Sequence, residues 1–346
     1  MKYESKNKPL ASLSLDLDNQ WSYMKVHGDS GWQVYPSYFD IVVPRFLTLF
    51  KELGLTVTVF VVGQDAALSK NHNALASIPQ AGHEIGNHSF NHESWLHLYT
   101  RADLETELAR AEEHIVNATG KRPDGFRGPG YSLSRNTLDV LMHSGYLYDA
   151  STLPTFIGPL ARSYYFMTTR LSHEEKEKRN LLFGSLRDGL RPIRPYRWKI
   201  GDSTILEIPV TTLPFLRVPF HLSYIIYIST FSEPLARAYW RSALRTCRLL
   251  GVEPSILLHP LDFLGKDDLK TLSFFPGMNL LAEDKLERVR MYLSDFVRQF
   301  RVLPIGSYAD IVLQRSRVPV RPPVFHHGAL VTPPVRQFVH DQALLK

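Results

Sequence analysis

Between Ala11 and Asp18 apolar and polar residues alternate without a break, Ala-Ser-Leu-Ser-Leu-Asp-Leu-Asp. Side chains alternate sides along a strand, so this run sends Leu13, Leu15 and Leu17 to one face and Asp16 and Asp18 to the other. Two carboxylates a residue apart on one face repel each other. They are tolerable when a cation neutralises one and a cationic side chain holds the other. Further on, Asn87-His88-Ser89-Phe90-Asn91-His92 places two histidines four residues apart. Two neutral ring nitrogens from one turn suit a single divalent metal. One carboxylate and two histidines form an open His2Asp site with room for water and substrate, and the second carboxylate is left over as a base. The pattern is that of a hydrolase.

The rest of the first half reads as alternating strands and helices. Gln20 to Tyr38, with Trp21, Trp32, Tyr35 and Tyr38, is expected to be a loop beside the site. These aromatics would stack on sugar rings or roof the fold. A helix follows with Pro44 in its first turn and Gly54 at its end. Leu55 to Val62 has the continuous β-branched pattern of a strand covered on both faces. Gly82 to Gly86 is a short strand running into the histidines. Thr100 to Asp103 has the form of a capping box, opening a helix that buries Leu104, Leu108, Ala111 and Ile115. Gly125-Phe126-Arg127, a helix around 137–143 and Tyr146 to Asp149 continue the alternation, which predicts a parallel sheet with covering helices. The chemistry then lies at the C-terminal ends of strands.

From Leu153 to about Thr230 the rhythm breaks, and the segment is expected to be an insertion or lid. It holds a charged run (His173 to Arg179), a basic proline-bearing stretch (Arg187 to Arg197) and the strand-like Ile205 to Val210. Its end, Leu213 to Phe231, is strongly apolar. Pro214 and Pro219 exclude a membrane-spanning helix there, leaving burial against the fold, which is favoured, or contact with a membrane interface. A helix over 233–250, a strand over 255–259, a helix near 284–300 and Val302 to Ile305 complete the regular part. The expected organisation is an extension over 1–9, a catalytic unit over 10–313, and an extended or disordered tail over 314–346.

Composition narrows the setting. With 44% hydrophobic and 21% charged residues, the chain is that of an ordinary soluble globular protein. Cys247 is the single cysteine, so no internal disulfide forms, in keeping with a reducing compartment. The first eight residues contain no apolar core of signal-peptide length, and no run approaches the roughly 18 apolar residues of a membrane span. A cytoplasmic location is expected, extending to the inner face of a membrane. The formal charge is +6. The tail contributes Arg315, Arg317, Arg321, Arg336 and Lys346 against Asp341 alone. No basic stretch is interleaved with stacking aromatics, so nucleic acid is not the expected partner.

Four segments together resemble the NodB-type polysaccharide deacetylases, carbohydrate esterase family 4. They are Ser14 to Asp18, Gly82 to His92, Phe126-Arg127-Gly128-Pro129-Gly130-Tyr131 and Leu257-Leu258-His259-Pro260, in the family's order. The resemblance implies an irregular (β/α)7 barrel, here with an insertion before the last strands. It further implies that Asp18, His88 and His92 bind one divalent metal, zinc being the first choice. Asp16 would be the general base taking the proton of the attacking water, with Arg127 pairing to it. A backbone N–H of Gly130 or Tyr131 would help hold the oxyanion, Gly128 and Gly130 would let the backbone approach the substrate, and His259 would protonate the departing amine. The implied substrate is an N-acetylated amino sugar of a glycan precursor, oligosaccharide or glycolipid, free or lipid-linked.

Many family members have adjacent aspartates, whereas Leu17 separates them here. That spaced form resembles a branch with intracellular members and some cyclic-amide hydrolases. Tyr148 to Pro154 matches the remaining family motif only loosely and is left out of the catalytic set. Two rivals stand beside this reading. One is the same machinery acting on a non-sugar or cyclic amide, or removing formyl. The other is an inactive glycan- or lipid-binding module. Several tempting residues have plainer explanations: His83 and Glu84 as structural, Cys247 as core, the charged run as a solvated face, and His326-His327 as chance.

Overall fold

The alternating run becomes strand β1, Leu10–Leu17, in a computed structural model that describes residues 8–157 and 186–325. Both of its faces are buried: Leu13, Leu15 and Leu17 on one, Ser12, Ser14 and Asp16 on the other. That is the environment of a strand in a parallel sheet with covered faces. The following strands are β2 (Thr58–Val61), β3 (Glu84–Asn87), β4 (Gly125–Phe126) and β5 (Tyr148–Asp149), then β6 (Tyr196–Ile200), β7 (Ser203–Glu207), β8 (Ser255–Leu258), β9 (Arg301–Leu303) and β10 (Val320–Arg321). They form one sheet in the order β10-β6-β7-β5-β4-β3-β2-β1-β8, with β9 beside β1. Among the strand pairs of this sheet in the described residues, only β6–β7 is antiparallel. The architecture is the expected α/β one, with a mostly parallel sheet. Beyond β7, Thr211 N donates to Ser255 O at 3.0 Å, and Ser255 N donates to Thr211 Oγ1 at 2.8 Å, tying this stretch to the start of β8.

Helices lie where the apolar spacing predicts, with informative exceptions. Thr100 caps the helix Arg101–Thr119 by accepting from Asp103 N, and Leu104, Leu108, Ala111 and Ile115 are its buried stripe. The loop expected over 20–38 is instead a helix, Gln20–His27, and a 3-10 turn, Trp32–Val34. Asn19 caps that helix through its side chain and Gly28 ends it in the left-handed region. The cap residues were legible, but the helix is buried nearly all round, so no amphipathic period marks it. Pro44 is not in a first turn, because the helix Phe39–Leu53 begins five residues earlier. The proline costs one backbone bond there, a loss set against the burial of Phe39, Val42, Val43 and Phe46.

The apolar stretch 213–231 divides in two. Phe220, Leu222, Ile225 and Ile226 are buried on or beside the helix Leu222–Ser229, whereas Phe215 and Leu216 project into solvent. A helix over Ile305–Leu313 follows β9 and was not anticipated. Val320–Arg321, in the stretch expected to be tail, pairs in parallel with Arg197 and Trp198. The charged run 173–179, the His326-His327 pair, residues 1–7 of the extension and residues 326–346 of the tail lie outside the described residues.

Candidate metal centre

Strand register gathers the motif residues. Leu17 is paired with Val61, Val61 with Asn87, Asn87 with Phe126, and Phe126 with Asp149. The next residues along β1, β3 and β4 are therefore Asp18, His88 and Arg127, leaving one edge of the sheet side by side. On the other flank Leu15 pairs with Leu258, which sets His259 level with Asp16.

Asp18, His88 and His92 each turn a ligand atom inward, and these atoms lie within 4.8 Å of one another. The Asp18 Oδ1 is 2.9 Å from His92 Nε2 and 3.4 Å from His88 Nε2. All three residues are buried. The His88 Nδ1–H donates to the Arg127 carbonyl at 2.6 Å, which leaves Nε2 as the free ligand nitrogen. Burial pushes the Asp18 carboxyl up, but His92 and His88 outweigh it and hold the group well below the usual carboxylate range. Burial lowers His88, and Asp16, Asp18 and the Arg127 carbonyl more than reverse it. Two imidazoles and one carboxylate, with no lysine or arginine among them, fit a divalent cation.

The histidines do not converge by a helical turn, as their spacing suggested. Ser89 (φ 60°) and His92 (φ 53°) are left-handed. That conformation is unfavourable for residues with a Cβ and persists only where the surroundings fix it. Here Asn87 Oδ1 accepts from Ser89 N, Ser89 Oγ accepts from His92 N, and Glu107 Oε1 accepts from the amides of Phe90 and Asn91.

Asp16 lies beside the cluster with its own partner. Arg127 Nη1 donates to Asp16 Oδ1 at 2.6 Å and to Ser14 Oγ at 2.9 Å, while Nε donates to Ala150 O at 2.9 Å. Its guanidinium sits 4.4 Å over the Phe60 ring. That ring fits because residue 86 is glycine, where a Cβ would come within 2.4 Å of it. Arg127 is itself buried, so its direction is fixed by three hydrogen bonds and a ring.

The loop after Arg127 narrows one expectation. Gly128 serves the loop itself, since a Cβ there would meet Ser132 O at 2.0 Å. The Tyr131 amide donates to Gly128 O at 3.0 Å. Of the two candidate oxyanion amides, the one without an acceptor among the described residues is Gly130's.

Around His259 the structure adds residues that sequence reasoning missed. Ser223 Oγ is 3.1 Å from His259 Nδ1 and also hydrogen-bonds Asp262. Asp262 Oδ2 accepts from His259 N at 2.8 Å, and the Asp262 amide reaches back to the His259 side chain. These contacts leave Nε2 as the free nitrogen. The spacing His-Pro-Leu-Asp carried the form of a capping box and could have revealed Asp262. Nothing in the sequence pointed to Ser223. Lys285 is buried nearby, donating to Leu261 O at 2.9 Å, and burial draws it down to about 8 against the pull of Asp262. His221, 5.9 Å from the His259 ring, is held well below the usual histidine range by burial and then by His259 and Arg127.

A second acidic pair supports the site from below. Asp149 and Glu207 face each other in register on β5 and β7. Ser151 Oγ donates to Asp149 Oδ1 at 2.6 Å and accepts from Gly128 N at 2.8 Å. Glu207 accepts from Thr152 and from Trp198 Nε1. His83 and Glu84 are structural, as expected: His83 Nδ1 accepts from Val57 N, and Glu84 accepts from Thr58, Gly306 and Ser307. Cys247 is buried in the core.

This geometry coincides with a family. A model described as polysaccharide deacetylase matches residues 29–148, the stretch holding His88, His92 and Arg127. Over that stretch the chain is similar to the polysaccharide deacetylases. It is 29% identical over 148 residues to a peptidoglycan deacetylase of Helicobacter pylori, a match covering 42% of this chain and 50% of that protein. It is 28% identical over 152 residues to a peptidoglycan deacetylase-like protein of Gibberella zeae, covering 42% of this chain and 43% of that one. The chain thus spans half or less of the length of these relatives. A crystal structure from Mycobacterium smegmatis, assigned as a polysaccharide deacetylase, shares the fold with a TM-score of 0.58 at 20% identity, covering 93% of this chain and 98% of that one. The family match leaves Asp16, Asp18 and His259 outside its limits, and strand register is what joins them to the site.

Proposed function

We propose that the chain is a metal-dependent hydrolase that removes the N-acetyl group from an amino sugar of a glycan, acting through residues 10–313. The observation that carries this reading is the Asp16–Arg127 pair beside the Asp18, His88 and His92 cluster. It is a base with a fixed direction next to a place for a Lewis acid. A divalent ion held by the three ligands, zinc by its preference for such donors, would polarise the amide carbonyl and acidify the attacking water. Asp16 receives the proton of that water on the carboxylate that Arg127 orients. The Gly130 amide donates to the developing oxyanion. His259, with Nδ1 engaged by Ser223 and Asp262, presents Nε2–H to the departing nitrogen. Trp32 and Tyr35, half-buried against Trp21, whose ring lies 6.4 Å from that of His92, supply aromatic faces for a sugar ring.

The relatives named as peptidoglycan deacetylases support an amino-sugar substrate. The test is acetate release by zinc-reconstituted protein, with Asp16→Asn as control, from a pool of soluble oligosaccharides and nucleotide sugars and from a pool of lipid-linked glycans. Acetate from either pool supports the reading and fixes the substrate's form. Formate, or ring opening without acid release, would transfer the machinery to another amide. A metal-loaded protein inert on every amide would make it a binding module.

A further inference from the structure

Apolar side chains from separate parts of the chain come to one face of the molecule. Leu190 is 73% exposed, Phe215 79% and Leu216 68%, and Leu250 at the end of the helix Glu233–Leu249 lies with them. Leu190, Phe215 and Leu250 line one cavity of about 620 Å³ together with Arg194, Arg217 and Arg321, and no acidic residue lines it among the described residues. The turn that carries Phe215 and Leu216 is built to display them. Leu213 N donates to Val218 O and Arg217 N to Leu213 O, both at 2.8 Å, with Phe215 at φ 68° and Arg217 at φ 55°. Two left-handed residues with side chains are a cost that serves no burial here.

The arginines decide what such a face meets. An exposed apolar patch alone fits many partners. None of Arg194, Arg217 and Arg321 forms an ion pair among the described residues. Arg194 donates to Leu250 O at 2.6 Å, and Arg217 Nη1 has no hydrogen-bond partner among the described residues. The planar fork of an arginine matches phosphate. Aliphatic and aromatic tips ringed by unpaired arginines are complementary to the boundary between acyl chains and anionic headgroups. No helix of the described residues is long and apolar enough to cross a membrane, so contact would be from one side.

We propose that this face docks on an anionic phospholipid surface, with Leu190, Phe215 and Leu216 entering the acyl boundary and Arg194, Arg217 and Arg321 meeting headgroup phosphates. The proposal does not depend on the catalytic reading.

The experiment is sedimentation of the full chain with vesicles of phosphatidylcholine alone and of phosphatidylcholine mixed with phosphatidylglycerol, at low and high salt. Binding to the mixed vesicles alone, weakened by salt, is the expected result. The double variant Phe215→Ser/Leu216→Ser should abolish it with an unchanged melting curve. Arg217→Gln should weaken it roughly fivefold, the share of one basic residue at a charged surface. If the serine variant fails to fold, Arg194→Gln/Arg217→Gln carries the test on a surface that keeps its apolar tips. Equal binding to both vesicles, or to neither, overturns the proposal. So does concentration-dependent self-association that the serine variant removes, which would give the face to a second copy of the chain.

Discussion

Two pairs of buried carboxyls stand at strand ends of one sheet, and the protein treats them in opposite ways. Asp16 and Asp18 share a face of β1 and are met by charged or chargeable partners, Arg127 for one and His88 with His92 for the other. Asp149 and Glu207 are met by neutral donors, Ser151, Thr152 and Trp198, and by each other. Burial pushes both members of the second pair up, and the Asp149 charge pushes Glu207 further, so the pair keeps a proton. Asp18, also buried, is held down. Burial alone does not decide whether a carboxyl is reactive. The charge of its partners does. The first pair lies at the candidate metal site, and the second holds the loop that carries Gly128.

The comparison breaks most sharply at Asp16. Asp16→Asn should lower turnover by roughly 10²–10⁴-fold, the worth of a positioned base, while calorimetric titration shows zinc binding retained. Loss of the metal instead would exchange the roles of the two aspartates. His92→Ala should lower metal affinity and activity together, by more than the ~10–100-fold that outer partners of a metal site contribute. Full activity without bound metal would end the metal-dependent mechanism.

In the second pair the same kind of change should be mild. Asp149→Asn can donate to Glu207 and should keep activity within a few-fold. Asp149→Ala, which removes one partner each from Glu207 and Ser151, should cost ~1–3 kcal/mol in denaturant unfolding. Their pH dependence also differs in sign. Folded Glu207 keeps a proton that the unfolded chain loses above its ordinary value of 4.5, so this group's contribution to stability falls as pH rises past that point. Asp18 has the opposite slope, contributing above its ordinary value of 3.8 and losing that contribution as pH falls through its lowered one. Unfolding curves across pH should therefore be flatter on the alkaline side for Asp149→Asn than for the parent. An unchanged slope would mean that the pair carries no shared proton. The smallest effect is expected from Ser223→Ala, roughly a fivefold fall in kcat for one lost hydrogen bond. KM should hold and the alkaline limb of the pH–rate profile should move. A change in KM alone would make Ser223 structural.

Legibility followed the range of the information. Period-two alternation revealed β1 and its two acids, and the Thr100 cap and its apolar stripe revealed the helix Arg101–Thr119, because both signals lie within a few residues. The helix Gln20–His27 was missed because burial on nearly all sides removes the period. The histidine spacing suggested one helical turn, yet left-handed residues at 89 and 92 bring the rings together, in a loop held by hydrogen bonds from Ser89 to Asn87, from His92 to Ser89, and from Phe90 and Asn91 to Glu107.

The sequence by itself determined the donor chemistry: which carboxylates, imidazoles and guanidinium are available, and that they follow strands of an α/β fold. The tertiary structure decided their partnerships. It set Arg127 between Asp16 and Ser14, 113 residues from the latter, and brought Ser223 to His259 across 36 residues. It paired Asp149 with Glu207 through the register of β5 and β7 and engaged the Tyr131 amide in a turn, leaving Gly130's. Local composition encodes local conformation, whereas the proton state and direction of a buried group depend on whichever distant strand the sheet places beside it.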